Sequence, residues 1–157
     1  MNSDPCISTD CILCHETGGE LIWRNASIRV VSVTDSELPG YTRVIWEDHV
    51  REMSDLSAAG RLTLMRTVFH VERAQRMVLQ PDKVNLAELG NQTPHLHWHI
   101  LPRWKGDPWF PDSIWAPRKA HDARSAQAWE HRRLWVKKLN DEYFSVLCRL
   151  LDQLKRP

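Results

Sequence analysis

Three histidines alternate with apolar residues in the segment His95-Leu96-His97-Trp98-His99. Side chains on a β-strand change face with period two. A strand here would put His95, His97 and His99 on one face, and Leu96, Trp98 and Ile100 on the other, toward a core. Packing alone explains such a row poorly, because each buried imidazole would need a polar partner of its own. Two chemistries suit it. The imidazoles could be metal ligands, although neighbours on one strand rarely converge on a single ion without ligands from elsewhere. Alternatively, one imidazole is a nucleophile for phosphoryl transfer through a covalent intermediate, and its neighbours set its tautomer. The preceding loop, Gly90-Asn91-Gln92-Thr93, favours the second reading, since it offers a flexible backbone with amide and hydroxyl donors for phosphate oxygens. Asn85, on the strand before that loop, can reach the same pocket, and Asp35 is a candidate ribose contact.

The elements that must position these residues are read from pattern and punctuation. Residues 1–20 form an irregular lead-in. Leu21 to Arg24 and Ile28 to Val33 read as strands joined by a turn at Asn25-Ala26, and Thr42 to Trp46 as a third strand after the Pro39-Gly40 turn. Ser54 or Asp55 caps a helix running to about Leu79, with Leu62, Met65, Phe69 and Met77 on its apolar stripe. Lys83 to Leu89 is a short strand, and His95 to Leu101 is another, stopped by Pro102. The stretch Arg103 to Pro117, with Trp104, Trp109, Phe110 and Trp115, reads as a loop over the domain that covers the site or packs on it. Two helices follow, the second starting near Asn140 with Tyr143, Leu147, Leu150, Leu151 and Leu154 on one face. This order predicts an α+β fold, an antiparallel sheet with helices beside it. Residues 1–157 are expected to form one domain, with a helical extension over about 118–157.

Composition narrows the function classes. A chain of 157 residues with 42% hydrophobic and 26% charged residues has the make-up of one globular domain. A net charge of +1 gives no global drive toward nucleic acid or a membrane. The start, Met1-Asn2-Ser3-Asp4-Pro5, lacks the basic and apolar regions of a signal peptide, so a cytoplasmic protein with reduced thiols is expected. Cys11-Ile12-Leu13-Cys14 is a C-x-x-C that is redox-active, zinc-binding or incidental; Cys6 and Cys148 read as structural. The basic stretch from Arg118 to Lys138 reads as a solvated helix face.

The run from Asn85 to Arg103, containing Gly90-Asn91-Gln92-Thr93-Pro94, His95-Leu96-His97-Trp98-His99 and Pro102-Arg103, resembles the signature of the histidine triad (HIT) family. Pro39-Gly40 and Val44 to Val50 resemble an upstream stretch of the same family, so the resemblance covers about residues 10–105. It implies a nucleotide hydrolase or nucleotidyl transferase, usually a homodimer, acting on a purine nucleotide such as a diadenosine polyphosphate or a phosphoramidate. By the same resemblance His97 attacks the α-phosphate, His99 supports the leaving group, and His95 orients its neighbours or binds metal. Gly90, Asn91, Gln92 and Thr93 fall on the phosphate loop, and Asn85 on an asparagine that helps hold substrate. Some relatives complete a tetrahedral zinc site with residues matching Cys11, Cys14, His49 and His95; no organic cofactor is implied. Two departures stand out: Tyr41 occupies a position where many relatives have histidine, and the Asn85–His95 stretch is one residue short. The alternatives are a nucleotide-binding sensor with little turnover, or a hydrolase that uses the triad as metal ligands. Release of a mononucleotide that depends on His97 separates the first of these from the enzyme, and sensitivity to chelators separates the second.

Overall fold

Short β-branched runs build the centre of a five-stranded antiparallel sheet in the computed structural model, which describes residues 10–154. Cys6 and the N-terminal pentapeptide lie outside the described residues. The strands are β1 (Glu20–Arg24), β2 (Ile28–Ser32), β3 (Thr42–Trp46), β4 (Lys83–Glu88) and β5 (His97–Arg103), in the spatial order β1-β2-β3-β5-β4. The helices are α1 (Ile12–His15), α2 (Ala58–Val78), α3 (Ala123–Lys138) and α4 (Asn140–Gln153). The architecture is therefore α+β, as expected. One sheet face packs on α2 and α4: Val30, Val44 and Ile100 meet Leu64, Val68 and Val71 from α2, and Tyr143, Leu147 and Leu151 from α4. Several buried polar groups in this layer find partners. Gln75 Nε2 donates to the carbonyls of Gly40 (2.9 Å) and Ile100 (3.1 Å), and the hydroxyls of Thr42 and Tyr143 bond at 2.8 Å. The opposite face carries the histidines.

Several boundaries differ from expectation for identifiable reasons. Helix α2 is capped by Ser57, whose side chain accepts from the Gly60 amide; Ser54 and Asp55 sit one step earlier in a 3-10 turn, where Asp55 accepts from Glu52. The stripe of α2 on the core is Leu64, Thr67, Val68, Val71, Ala74 and Gln75, whereas Leu62, Phe69 and Met77 are exposed. At 100° per residue these two sets lie on opposite sides, so the helix is apolar on both. Strand β5 starts at His97 and runs through Pro102 to Arg103. Pro102 pairs with Val84 but lies beyond Ile100, the last residue in register with β3, so only one strand flanks it. That is where a sheet tolerates a missing N–H.

The stretch after β5 folds around one ion pair. Arg103 donates to both carboxylate oxygens of Asp107, at 2.8 and 2.9 Å, with both side chains buried. Asp107 also accepts the backbone amides of Trp104, Trp109 and Phe110. A bidentate pair with its remaining lone pairs satisfied fixes a loop that has no secondary structure of its own. No helix among the described residues is long and apolar enough to cross a membrane.

Candidate functional site

The histidine row divides at the start of β5. His97 and His99 keep the strand alternation and sit side by side, ring centroids 4.6 Å apart and both buried. His95 leaves the strand instead. Its Nε2 lies 2.7 Å from the Trp46 carbonyl oxygen, and its Nδ1 lies 3.4 Å from Cys11 Sγ and 3.6 Å from Cys14 Sγ. The expected single row of three imidazoles is thus two plus one.

The tautomer of His97 follows from its partner. A carbonyl oxygen only accepts, so the 2.6 Å contact from His97 Nδ1 to the His95 carbonyl puts the proton on Nδ1 and the lone pair on Nε2. Burial, with the Arg43 cation adding to it, holds His97 below its ordinary pKa of 6.5. His97 is therefore a neutral imidazole with a free ring nitrogen. His99 Nδ1 is 2.5 Å from the Tyr41 hydroxyl. Burial raises the Tyr41 pKa, so the phenol keeps its proton and bonds His99 as a neutral hydroxyl. Burial, then the neighbouring His97 and Arg43, push His99 down to about 3. The two rings are thus both neutral, and His97 offers a lone pair at Nε2.

His97 opens onto a cavity of about 590 Å³ that is also lined by Thr93, Asp35, Arg43, Thr17 and Gly18. Thr93 and Asp35 are therefore brought to His97. Gly90 turns the loop with a φ of 62°, a conformation that favours glycine, while Asn91 and Gln92 are exposed and do not line the cavity. Asn85 is placed elsewhere: its Oδ1 accepts from Arg103 Nη1 at 2.9 Å, and it lines a second cavity of about 620 Å³ with Ser113 and Trp115. Trp115 is half exposed and stands edge-on to His99 at 5.2 Å, so the Trp-Pro loop reaches the triad from that side. Trp104 by contrast is in the core.

The second cluster joins Cys11, Cys14, His49 and His95, whose ligand atoms all lie within 4.8 Å of one another. The turn of α1 brings the two cysteines to one side, and Cys14 Sγ is 3.3 Å from His49 Nδ1. Tetrahedral zinc with ordinary Zn–S and Zn–N bonds sets S···N separations near 3.6 Å, roughly the spacing found. His95 donates from Nε2 to a carbonyl, which leaves Nδ1 to ligate, the outer contact usual for a metal-bound histidine. The residues fit a structural zinc ion.

Comparison with known proteins decides the family, because the model described as HIT domain matches residues 16–106. The chain belongs to the HIT family. That family comprises nucleotide-binding hydrolases and transferases. Among solved structures, a histidine triad protein from Bradyrhizobium japonicum is 26% identical, covering 94% of this chain and 99% of its own, with a TM-score of 0.64. A histidine triad protein from Sinorhizobium meliloti is 19% identical over 75% of this chain and 89% of its own, TM-score 0.59. A zinc-bound histidine triad family protein from Mycobacterium smegmatis is 20% identical over 93% and 96%, TM-score 0.57. These last two share the fold. No curated protein matches the chain.

Two residues of this HIT site have no place in the sequence reading. Tyr41 was noted only as a departure, yet its hydroxyl is the partner of His99. Arg43 was not singled out at all. It stands on β3 directly opposite His99 and lines the His97 cavity. The available signal was a lone cation inside the apolar run Thr42-Arg43-Val44-Ile45-Trp46.

Proposed function

We propose that the protein is a nucleotide hydrolase or nucleotidyl transferase that cleaves at the α-phosphate of adenosine polyphosphates or phosphoramidates, with His97 as nucleophile. The observation that carries the reading is the His97 ring, which lines the cavity and is pinned through Nδ1–H to the His95 carbonyl, leaving its lone pair on Nε2. In the first step Nε2 forms an N–P bond to the α-phosphorus, and the bond from phosphorus to the leaving group breaks. His99, neutral beside His97, can hydrogen-bond to that group without giving up a proton; a phosphate leaves as its anion, and an amine takes its proton from water. In the second step water or another acceptor attacks phosphorus, the N–P bond breaks, and a mononucleotide or its transferred ester leaves. Thr93 sits where it can donate to phosphate, and Asp35 where it can accept from ribose hydroxyls. The chemistry needs a placed nucleophile and fixed donors around charged oxygens.

In the same proposal Cys11, Cys14, His49 and His95 hold zinc, which when bound ties α1 to the segment before β5 and stays apart from His97. The reduced thiols this requires suit the cytoplasm. The protein works as a homodimer, supported by the second apolar side of α2 and the open edge at β4.

A panel of dinucleoside polyphosphates and adenosine phosphoramidates tests the reading. Wild type should release AMP, and His97→Ala should lower turnover by about four orders of magnitude or more, as removing a covalent nucleophile does. Mass spectrometry of quenched wild type should show a nucleotidyl adduct on the peptide containing His97. Unchanged nucleotide affinity with no release dependent on His97 would make the protein a binder and overturn the enzyme.

A further inference from the structure

Two arginines on the histidine face of the sheet, Arg29 and Arg43, are treated differently. Arg29, on β2, is buried and neutralised: Nη1 meets Glu47 at 2.9 Å, and Nε donates to the Thr17 carbonyl at 3.0 Å. Arg43, on β3, has no ion-pair partner among the described residues. Its Nη1 donates to the Gly18 carbonyl at 3.2 Å, and its guanidinium lies 5.6 Å from the centroid of the Tyr41 ring. Its Nε is buried without an acceptor. The side chain is only partly exposed, and it lines the cavity onto which His97 opens. Holding a cation half out of water with unused donors is unfavourable unless something anionic joins it.

Arg43 is the only arginine or lysine lining that cavity, whose other charged side chains, Glu16 and Asp35, are acidic and form no ion pair with it among the described residues. His97 presents a lone pair, and Thr93 offers a neutral hydroxyl. We propose that Arg43 is the charge-bearing contact of this site, its guanidinium taking non-bridging oxygens of the phosphoryl group presented to His97. The planar fork of arginine suits paired phosphate oxygens, and the Tyr41 ring and Gly18 carbonyl hold that fork in place before a ligand arrives. The inference rests on the nucleotide reading for the rest of the ligand, but not for the phosphate.

Isothermal titration of adenosine, AMP and inorganic pyrophosphate into wild type, Arg43→Met and Arg43→Gln separates the possibilities. Wild type should bind AMP more tightly than adenosine. Each variant should weaken AMP and pyrophosphate by about tenfold to a hundredfold, the worth of a charge-assisted hydrogen bond, and leave adenosine unchanged. Arg43→Gln keeps a polar side chain where Arg43→Met fails to fold. Equal weakening of AMP and adenosine would show that Arg43 acts through the fold, and overturn the proposal. So would unchanged AMP and pyrophosphate affinity, or a wild type that binds neither anion. Pyrophosphate binding that depends on Arg43, in a protein indifferent to adenosine and AMP, would sustain the anion contact while the nucleotide reading fell.

Discussion

His99 is held by a phenol, the Tyr41 hydroxyl, through its Nδ1. That contact holds the ring beside His97, whose centroid is 4.6 Å away. The surroundings also make His99 hard to protonate: burial comes first, followed by His97 and Arg43, which together lower it from 6.5 to about 3. The folded state therefore binds this proton less readily than the unfolded state. Its contribution to stability is complete above about pH 6.5 and is lost as pH falls toward 3. Urea unfolding of wild type and His99→Gln between pH 6.5 and 5 isolates it, since carboxylates titrate mostly below that window. Wild type should lose up to about 1.4 kcal/mol per pH unit more than the variant. Parallel pH profiles would remove the claim. The alternation of residues 97–100 made the side-by-side imidazoles legible in sequence. The phenol was not, because Tyr41 and His99 are 58 residues apart and meet only once β3 pairs with β5. Arg43 was hidden for the same reason.

At the scale of elements, the informative error is where β5 begins. A strand pattern extends naturally back to His95, but the backbone turns there: the His95 amide bonds to the Thr93 carbonyl and the Leu96 amide to that of Val50. His95 is thereby drawn out of the row and into the Cys/His cluster. Sequence left the C-x-x-C open between redox, zinc and chance, because spacing says nothing about what lies opposite. The fold places His49 and His95 opposite it. His95 thus does two things at once: its ring faces the cysteines, and its carbonyl pins the His97 ring. Protein purified without an affinity tag should contain one zinc per chain. Cys14→Ser should lose the metal, lower the melting temperature by more than about 5 °C, and slow His97-dependent turnover. Metal-free fresh protein with an unaltered melting temperature in Cys14→Ser would rule the ion out. Asn85 shows the reverse case: its oxygen is committed to Arg103, so in this fold it helps to fix the loop after β5.

At the scale of the whole molecule, the two sheet edges differ. Beside β1 lies α4, with Trp23 Nε1 donating to Asp152 at 2.9 Å and Cys148 Sγ to the Ile22 carbonyl at 3.4 Å. Among the described residues no strand follows beyond β4, and an unpaired edge is a place where another chain can add. Helix α2 brings Leu62, Phe69 and Met77 to the side away from the core, each more than half exposed. Reading that stripe as core was reasonable, since periodicity identifies an apolar face without saying what covers it. The sheet covers the other face, and in the proposed homodimer a second copy would bring an identical stripe and an identical edge. A two-fold arrangement satisfies both at once. Wild type should therefore sediment as a dimer at micromolar concentration. Phe69→Glu, which would set two carboxylates against each other across the axis, should weaken association by at least about tenfold, on the scale of burying an unpaired charge. A monomeric wild type would refute the arrangement. A Phe69→Glu variant that stays dimeric would move the interface off α2, and with its circular dichroism melt unchanged that result could not be laid to misfolding.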